Sequence, residues 1–264
     1  MTLLVGAGAL TACGDLGPND EVSTLPIAPS SARPPQPGPA GTGAGAGAVL
    51  RWRKGGGIAG LGGPGSLPDF SLYADGRAVS VPGGGAAPVE FRLKPAAVTR
   101  LLDGARAAGL GRSRTVQADG VADAMTLEIT LGGARTRVVQ PDGRSDPAVR
   151  FWTRLRPETW PKADQTAPSR PYVGDRLAAL ATPTTSTTGN GQKVREWTLA
   201  PLAKGAPGPG GLCTVLAGRD AQSLQKESGP PRPRSVWRDG GKVYSLRLRP
   251  LLPDEKTCAD LARA

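Results

Sequence analysis

The chain of 264 residues contains no histidine. That absence removes the commonest general acid/base, the commonest metal ligand, and both the Ser-His-Asp and the Cys-His nucleophile arrangements. Aromatic residues make up 4% of the chain, and five of them are Trp. In a chain so poor in Phe and Tyr, Trp52, Trp152, Trp160, Trp197 and Trp237 are read first as the bulk of the core, with a carbohydrate or peptide groove as the alternative. Acidic residues are also in deficit. Thirty-three Lys plus Arg stand against 22 Asp plus Glu, a net charge of +11 at pH 7. The basic residues are scattered singly, no run of five or more occurs, and no nucleic-acid-binding motif accompanies them, so nucleic acid is excluded as the partner. Two readings of the charge remain. One is a functional attraction to anionic lipid or wall polymer. The other is the bias of a GC-rich genome, which enriches Arg, Ala, Gly and Pro together.

What is present begins with an apolar and small-residue stretch, Leu3 to Ala12. About ten residues suit the hydrophobic region of a signal peptide and fall well short of the roughly 20 that cross a bilayer. The stretch ends in Leu10-Thr11-Ala12-Cys13, which resembles the lipobox of bacterial lipoproteins. The resemblance implies cleavage before Cys13, a diacylglycerol on that cysteine, and residence on the outer face of the cell membrane. Signal peptides open with Lys or Arg, and Met1-Thr2 supplies neither, which points to a translation start further upstream.

Two further features fit export. Setting Cys13 aside leaves Cys213 and Cys258, an even remainder that an exported protein can join as one disulfide, and their wide spacing excludes a CxxC redox or zinc motif. Residues 14–48 are rich in Pro, Gly and Ser with almost no bulky apolar side chains. Such a segment cannot bury enough surface to order itself, and it reads as a tether with a reach of roughly 30 Å.

Beyond the tether the patterns alternate between strand and helix. Phe70 to Val81 contains Asp75-Gly76 and reads as a hairpin with Phe70 opposite Val81 and Leu72 opposite Val79. Pro95 to Ala108 reads as a helix, with Pro in its first turn, apolar Val98, Leu101, Leu102 and Ala105 on one face, and Gly109 as the stop. Met125 to Gln140 alternates strictly around Gly132-Gly133, which sets Leu127 against Val138 and Glu128 against Arg137. Pro147 to Leu155 reads as a short helix and 157–171 as a linker. Past it, Arg176 to Ala181, Glu196 to Leu199 and Leu212 to Ala217 read as strands and Asp220 to Glu227 as a helix. Ser235 to Arg249 reads as a hairpin turning at Asp239-Gly240, and Asp254 to Arg263 as a terminal helix carrying Cys258. The expected class is α+β, with antiparallel hairpins, few helices and two small lobes. The expected organisation is a signal peptide over 1–12, lipidated cysteine and tether over 13–48, a first lobe over 49–156, the linker over 157–171, and a disulfide-bearing second lobe over 172–264. A helix precedes a glycine-turned hairpin in each lobe, which makes an ancient duplication conceivable.

Two phrases, Gly56-Gly57-Ile58-Ala59-Gly60-Leu61 and Arg249-Pro250-Leu251-Leu252-Pro253-Asp254-Glu255, resemble exported lipoproteins of unknown function from high-GC Gram-positive bacteria. That likeness implies location and no activity.

Several motifs suggest chemistry without the context it needs. Gly55, Gly57 and Gly60 fit GxGxxG, but Leu61-Gly62-Gly63-Pro64-Gly65 follows and cannot start the helix that would meet a pyrophosphate. Ser223-Leu224-Gln225-Lys226 fits S-x-x-K without the S-D-N and K-T-G partners. Asp119 and Asp123 lie in a glycine-containing turn with no further acidic ligands at calcium-loop spacing. No catalytic residue, metal or cofactor is therefore expected. Arg135 and Arg137 on one hairpin and Arg247 and Arg249 on another are expected on solvent faces, as basic stripes for anionic lipid or wall polymer. The function expected is a membrane-anchored, non-enzymatic binding or envelope-organising protein, the alternative being a histidine-free hydrolase or transferase acting on wall material.

Overall fold

The computed structural model describes residues 47–57, 62, 63, 65–83, 86–118, 120, 123–185, 194–228 and 235–262. The lipobox, Cys13, the tether up to residue 46, Gly60 of the glycine motif and Asp119 lie outside these. The described residues belong to one compact unit, an α+β arrangement of two sheets and three α-helices. Among them no helix is long and apolar enough to cross a membrane.

The first sheet has eight strands: β1 (Ala48–Gly56), β2 (Phe70–Tyr73), β3 (Arg77–Ser80), β4 (Val89–Leu93), β5 (Arg114–Val116), β6 (Met125–Leu131), β7 (Ala134–Val139) and β8 (Gln165–Pro171). Their spatial order is β5-β7-β6-β1-β2-β3-β4-β8. Two helices, α1 (Pro95–Ala107) and α2 (Pro147–Arg154), belong to this lobe. Leu50, Phe70, Leu72, Leu127, Ile129 and Val138 cluster with Ala97, Val98 and Ala105 of α1 and with Ala148 and Val149 of α2. Alternation puts Leu50 and Trp52 of β1 on the helix side, and Arg51 and Arg53 therefore point the other way.

The second sheet has six strands: β9 (Arg176–Pro183), β10 (Arg195–Glu196), β11 (Ala206–Gly208), β12 (Gly211–Ala217), β13 (Ser235–Asp239) and β14 (Lys242–Pro250), in the order β10-β13-β14-β9-β12-β11. Helix α3 (Gly218–Ser228) supplies Ala221 and Leu224 to a core with Trp197, Trp237, Tyr244 and Leu246. The opposite face carries Ala178, Leu180, Cys213, Leu251 and Leu261. Leu177 to Ala181 of β9 are all buried, because this central strand is covered on both sides.

The β6–β7 hairpin has the expected register, Leu127 facing Val138 and Glu128 facing Arg137, although the ion pair of Glu128 is with Arg135, at 3.4 Å. Cys213 and Cys258 form a disulfide that ties β12 to the last turn of the chain.

Several expectations are corrected. In the β2–β3 hairpin Phe70 pairs with Ser80 and Leu72 with Ala78, one residue away from the expected register. The loop has three residues, with Gly76 at a φ of +83°, and a Cβ there would lie 2.3 Å from the Leu93 carbonyl oxygen. The slip turns Val79 to the opposite face, where it packs with Tyr73, Tyr172 and Leu252. Residues 157–171 are no free linker: two 3₁₀ turns lead into β8, which pairs with β4 at the edge of the first sheet. The sheets are not wholly antiparallel, since β5 and β10 pair in parallel with β7 and β13. The β13–β14 turn is Gly240-Gly241, Asp239 pairing with Lys242. Among the described residues of 254–263, where a terminal helix is expected, the regular structure is one 3₁₀ turn, Cys258–Ala262. The hairpin after the helix joins β1 through its first strand, β6, but joins β9 through its second, β14, so the two lobes are not wired alike.

The largest correction concerns Arg249, expected on a solvent face and in fact 3% exposed. The chain folds back after β14, and Glu255 accepts hydrogen bonds from both terminal nitrogens of Arg249 at 2.6 and 2.7 Å and from the Leu252 amide at 2.7 Å. Arg247 is half-buried, and its guanidinium lies close to Gly65. Nearby, Asp254 joins the two lobes, accepting from Arg51 of β1 at 2.9 and 3.0 Å and from the Tyr73 hydroxyl at 2.7 Å.

Candidate functional site

Helix α2 is eight residues long and cannot roof the whole helix-side face of the first sheet. Its start is fixed by Asp146, whose carboxylate accepts from the Ala148 amide at 2.8 Å and takes Arg114 in a two-pronged pair at 2.7 and 2.8 Å. The Arg114 hydrogen bonds, outweighing partial burial, hold the Asp146 carboxyl below the usual carboxylate range. Lys54 lies over the Trp152 ring at 5.2 Å while pairing with Asp142 at 2.8 Å, so the indole on α2 is held from β1.

After α2 the chain passes through its 3₁₀ turns and sets Trp160 edge-on against Phe70 and Phe91, at 5.9 and 5.5 Å between ring centroids. Between this bend, the sheet and β8 a cleft of about 1100 Å³ remains. Trp52, Val89 and Phe91 belong to the sheet side, and Trp152, Leu155 and Trp160 stand along the helix side. Trp52 and Trp152 meet edge to face at 5.8 Å. The far side is formed by the β3–β4 connection and by Thr166 to Ser169 of β8. Exposed Arg156, Glu158 and Lys162 supply charge at the opening. The Trp52 indole nitrogen is buried with no hydrogen-bond partner, an unused donor in the wall.

The β8 wall is secured by charge. Glu90 of β4, 2% exposed, accepts hydrogen bonds from Arg77, Arg92 and Arg170, the last on β8. Burial alone would raise the Glu90 carboxyl, but these guanidinium groups outweigh it and hold it below its ordinary value.

Three of the five tryptophans thus line an opening, whereas Trp197 and Trp237 pack edge to face at 5.4 Å in the core of the second lobe. Composition cannot separate the two groups, because Trp52, Trp152 and Trp160 meet only through the fold. Of the four arginines expected on basic stripes, Arg135 and Arg137 are exposed on β7, and the structure does not bring Arg247 and Arg249 to the surface with them. Ser223 and Lys226 are both exposed on α3. Among the described residues, no group of three or more His, Cys, Asp or Glu side chains is placed to hold a metal ion.

No family model, no curated protein and no solved structure matches the chain.

Proposed function

We propose that this chain is a lipid-anchored exported protein, held on the outer face of the cell membrane through Cys13, whose folded part is a binding domain with the tryptophan-lined cleft as its ligand site. The Cys213–Cys258 disulfide fits an oxidising, extracytoplasmic compartment, and the Leu10 to Cys13 sequence supports the anchor. The observation that carries the binding reading is the cleft itself: about 1100 Å³, three indoles and a phenyl ring, with charge confined to its opening. Concave, largely apolar sites with a few polar groups at the margin are where small ligands and chain ends are held. Among the described residues that line the cleft, Glu158 is the one carboxylate, whereas glycoside hydrolysis uses a pair. The chemistry of the cleft therefore favours holding a ligand over cleaving one.

Tryptophan emission tests this directly, because three indoles report on the cleft. Soluble wall-glycan fragments and extracted membrane lipids, titrated separately, are expected to shift the emission with one of the two, and Trp152→Ala is expected to weaken that binding at least tenfold. Unchanged emission with both fractions, or equal binding by the variant, would remove the cleft as the ligand site.

A further inference from the structure

On the face of the first sheet opposite the helices, the register aligns two rows of side chains across three strands. Arg53 of β1 pairs with Glu128 of β6, which pairs with Arg137 of β7; Arg51 pairs with Thr130, which pairs with Arg135. Neighbouring strands lie about 4.8 Å apart, so each row sets two arginines roughly 10 Å from one another at the backbone. The short side chain of Thr130 leaves room between Arg51 and Arg135, and Gly55 and Thr126 leave room beside the other row. The result is a pocket of about 380 Å³ lined by four guanidinium groups, with Glu128 the one carboxylate among its described lining residues.

These charges are only partly answered. Arg51 is tied to Asp254 and to the Ser71 hydroxyl. Arg53 donates to the Ser66 carbonyl at 2.8 Å and is attracted by the carboxylates of Asp69 and Glu128, while its Nε is buried without a partner. Arg135 makes the loose 3.4 Å pair with Glu128, and Arg137 has no ion-pair partner among the described residues. Burial first, and then the like charge of Arg249, pull the Arg53 guanidinium below its ordinary value against the opposing attraction of Asp69 and Glu128.

We propose that this pocket binds a phosphoryl group. Guanidinium groups present paired N–H donors that match the oxygens of phosphate, and a tetrahedral oxyanion can accept from several of them at once, relieving the repulsion among them. Arg51 is anchored and shapes the pocket, Arg53 adds positive charge at its floor, and the exposed Arg135 and Arg137 carry the accessible donors. Two sources could supply the group: the headgroup of an anionic phospholipid beneath the domain, or a free phosphate compound. The site lies on the face opposite the tryptophan cleft and does not depend on it, so either can fail alone.

The test uses the full chain carrying Cys13→Ser, which keeps its own lipid out of the assay. Pyrophosphate is titrated by calorimetry at low salt, and vesicles of phosphatidylglycerol are compared with vesicles of phosphatidylcholine by sedimentation. Saturable binding to pyrophosphate, to phosphatidylglycerol vesicles or to both is expected, weakened at least tenfold in Arg135→Gln/Arg137→Gln. Arg154→Gln/Arg219→Gln, which removes the same charge from exposed positions on α2 and α3, is expected to bind like the parent. Binding to vesicles alone identifies the headgroup as the source, binding to pyrophosphate alone identifies the free group, and binding to both shows a site that accepts the phosphoryl group from either. Absence of binding to both probes, or an equal loss in the two double variants, would overturn the proposal.

Discussion

Glu255→Ala is expected to lower the unfolding free energy by about 3–5 kcal/mol, the cost of stranding a buried charge. Arg249 and Glu255 each have about 3% of their side-chain surface exposed, and Glu255 takes both terminal nitrogens of Arg249 together with the Leu252 amide. The Arg249 Nε is already buried without a partner, so removing the carboxylate leaves the whole guanidinium unanswered beside Arg53. The double variant Arg249→Met/Glu255→Leu is expected to regain much of the loss, because replacing both ions with apolar side chains removes the desolvation cost on each side. Urea denaturation of the three proteins measures this. An unfolding midpoint in Glu255→Ala equal to that of the parent would mean that the turn after β14 does not bury this pair.

Cys258→Ser is expected to cost roughly 4 kcal/mol, the chain-entropy value for closing a loop of this length, the two cysteines being 45 residues apart. The bond matters here because, among the described residues, one 3₁₀ turn, Cys258–Ala262, is the regular structure that follows β14, and Cys258 ties its start to β12. The buried surroundings of Cys213, with Ala178, Leu180 and Leu251, should also loosen. A reducing agent should lower the stability of the parent by a similar amount and leave the variant unchanged. A reductant effect of equal size on both would show that the loss has another origin.

Why some of this could be read from the chain and some could not follows from what each signal encodes. The β6–β7 hairpin and α1 were legible because alternation, Gly132-Gly133, Pro95 and Gly109 are local and mutually consistent. The β2–β3 register is not legible in the sequence because Asp75-Gly76 serves two-residue and three-residue loops alike, and the three-residue loop is the one that brings Gly76 against the Leu93 carbonyl. Strand β8 escaped notice because it is a largely exposed edge strand bearing Pro168 and Pro171, and edges tolerate the residues that mark linkers.

The arginines teach the same lesson from the other side. Alternation correctly put Arg247 and Arg249 on the face away from Tyr244 and Leu246. It could not say that the returning chain covers that face. Conversely, Arg51 and Arg53 alternate with Leu50 and Trp52 in plain view, but their place beside Arg135 and Arg137 depends on the pairing of β1 with β6, a contact between segments more than seventy positions apart. The cleft is less legible still, since Trp52 reaches Trp152 across about a hundred residues of sequence.

The anchor at Cys13 is the claim on which location, partners and the meaning of both sites depend. The direct measurement is metabolic labelling of cells with a fatty-acid probe, followed by mass spectrometry of the protein's N-terminal peptide. Label on a mature chain beginning at Cys13, lost together with membrane association in Cys13→Ala, is the result predicted. A parent protein that takes up no label, or a Cys13→Ala variant that is labelled and retained like the parent, would contradict it.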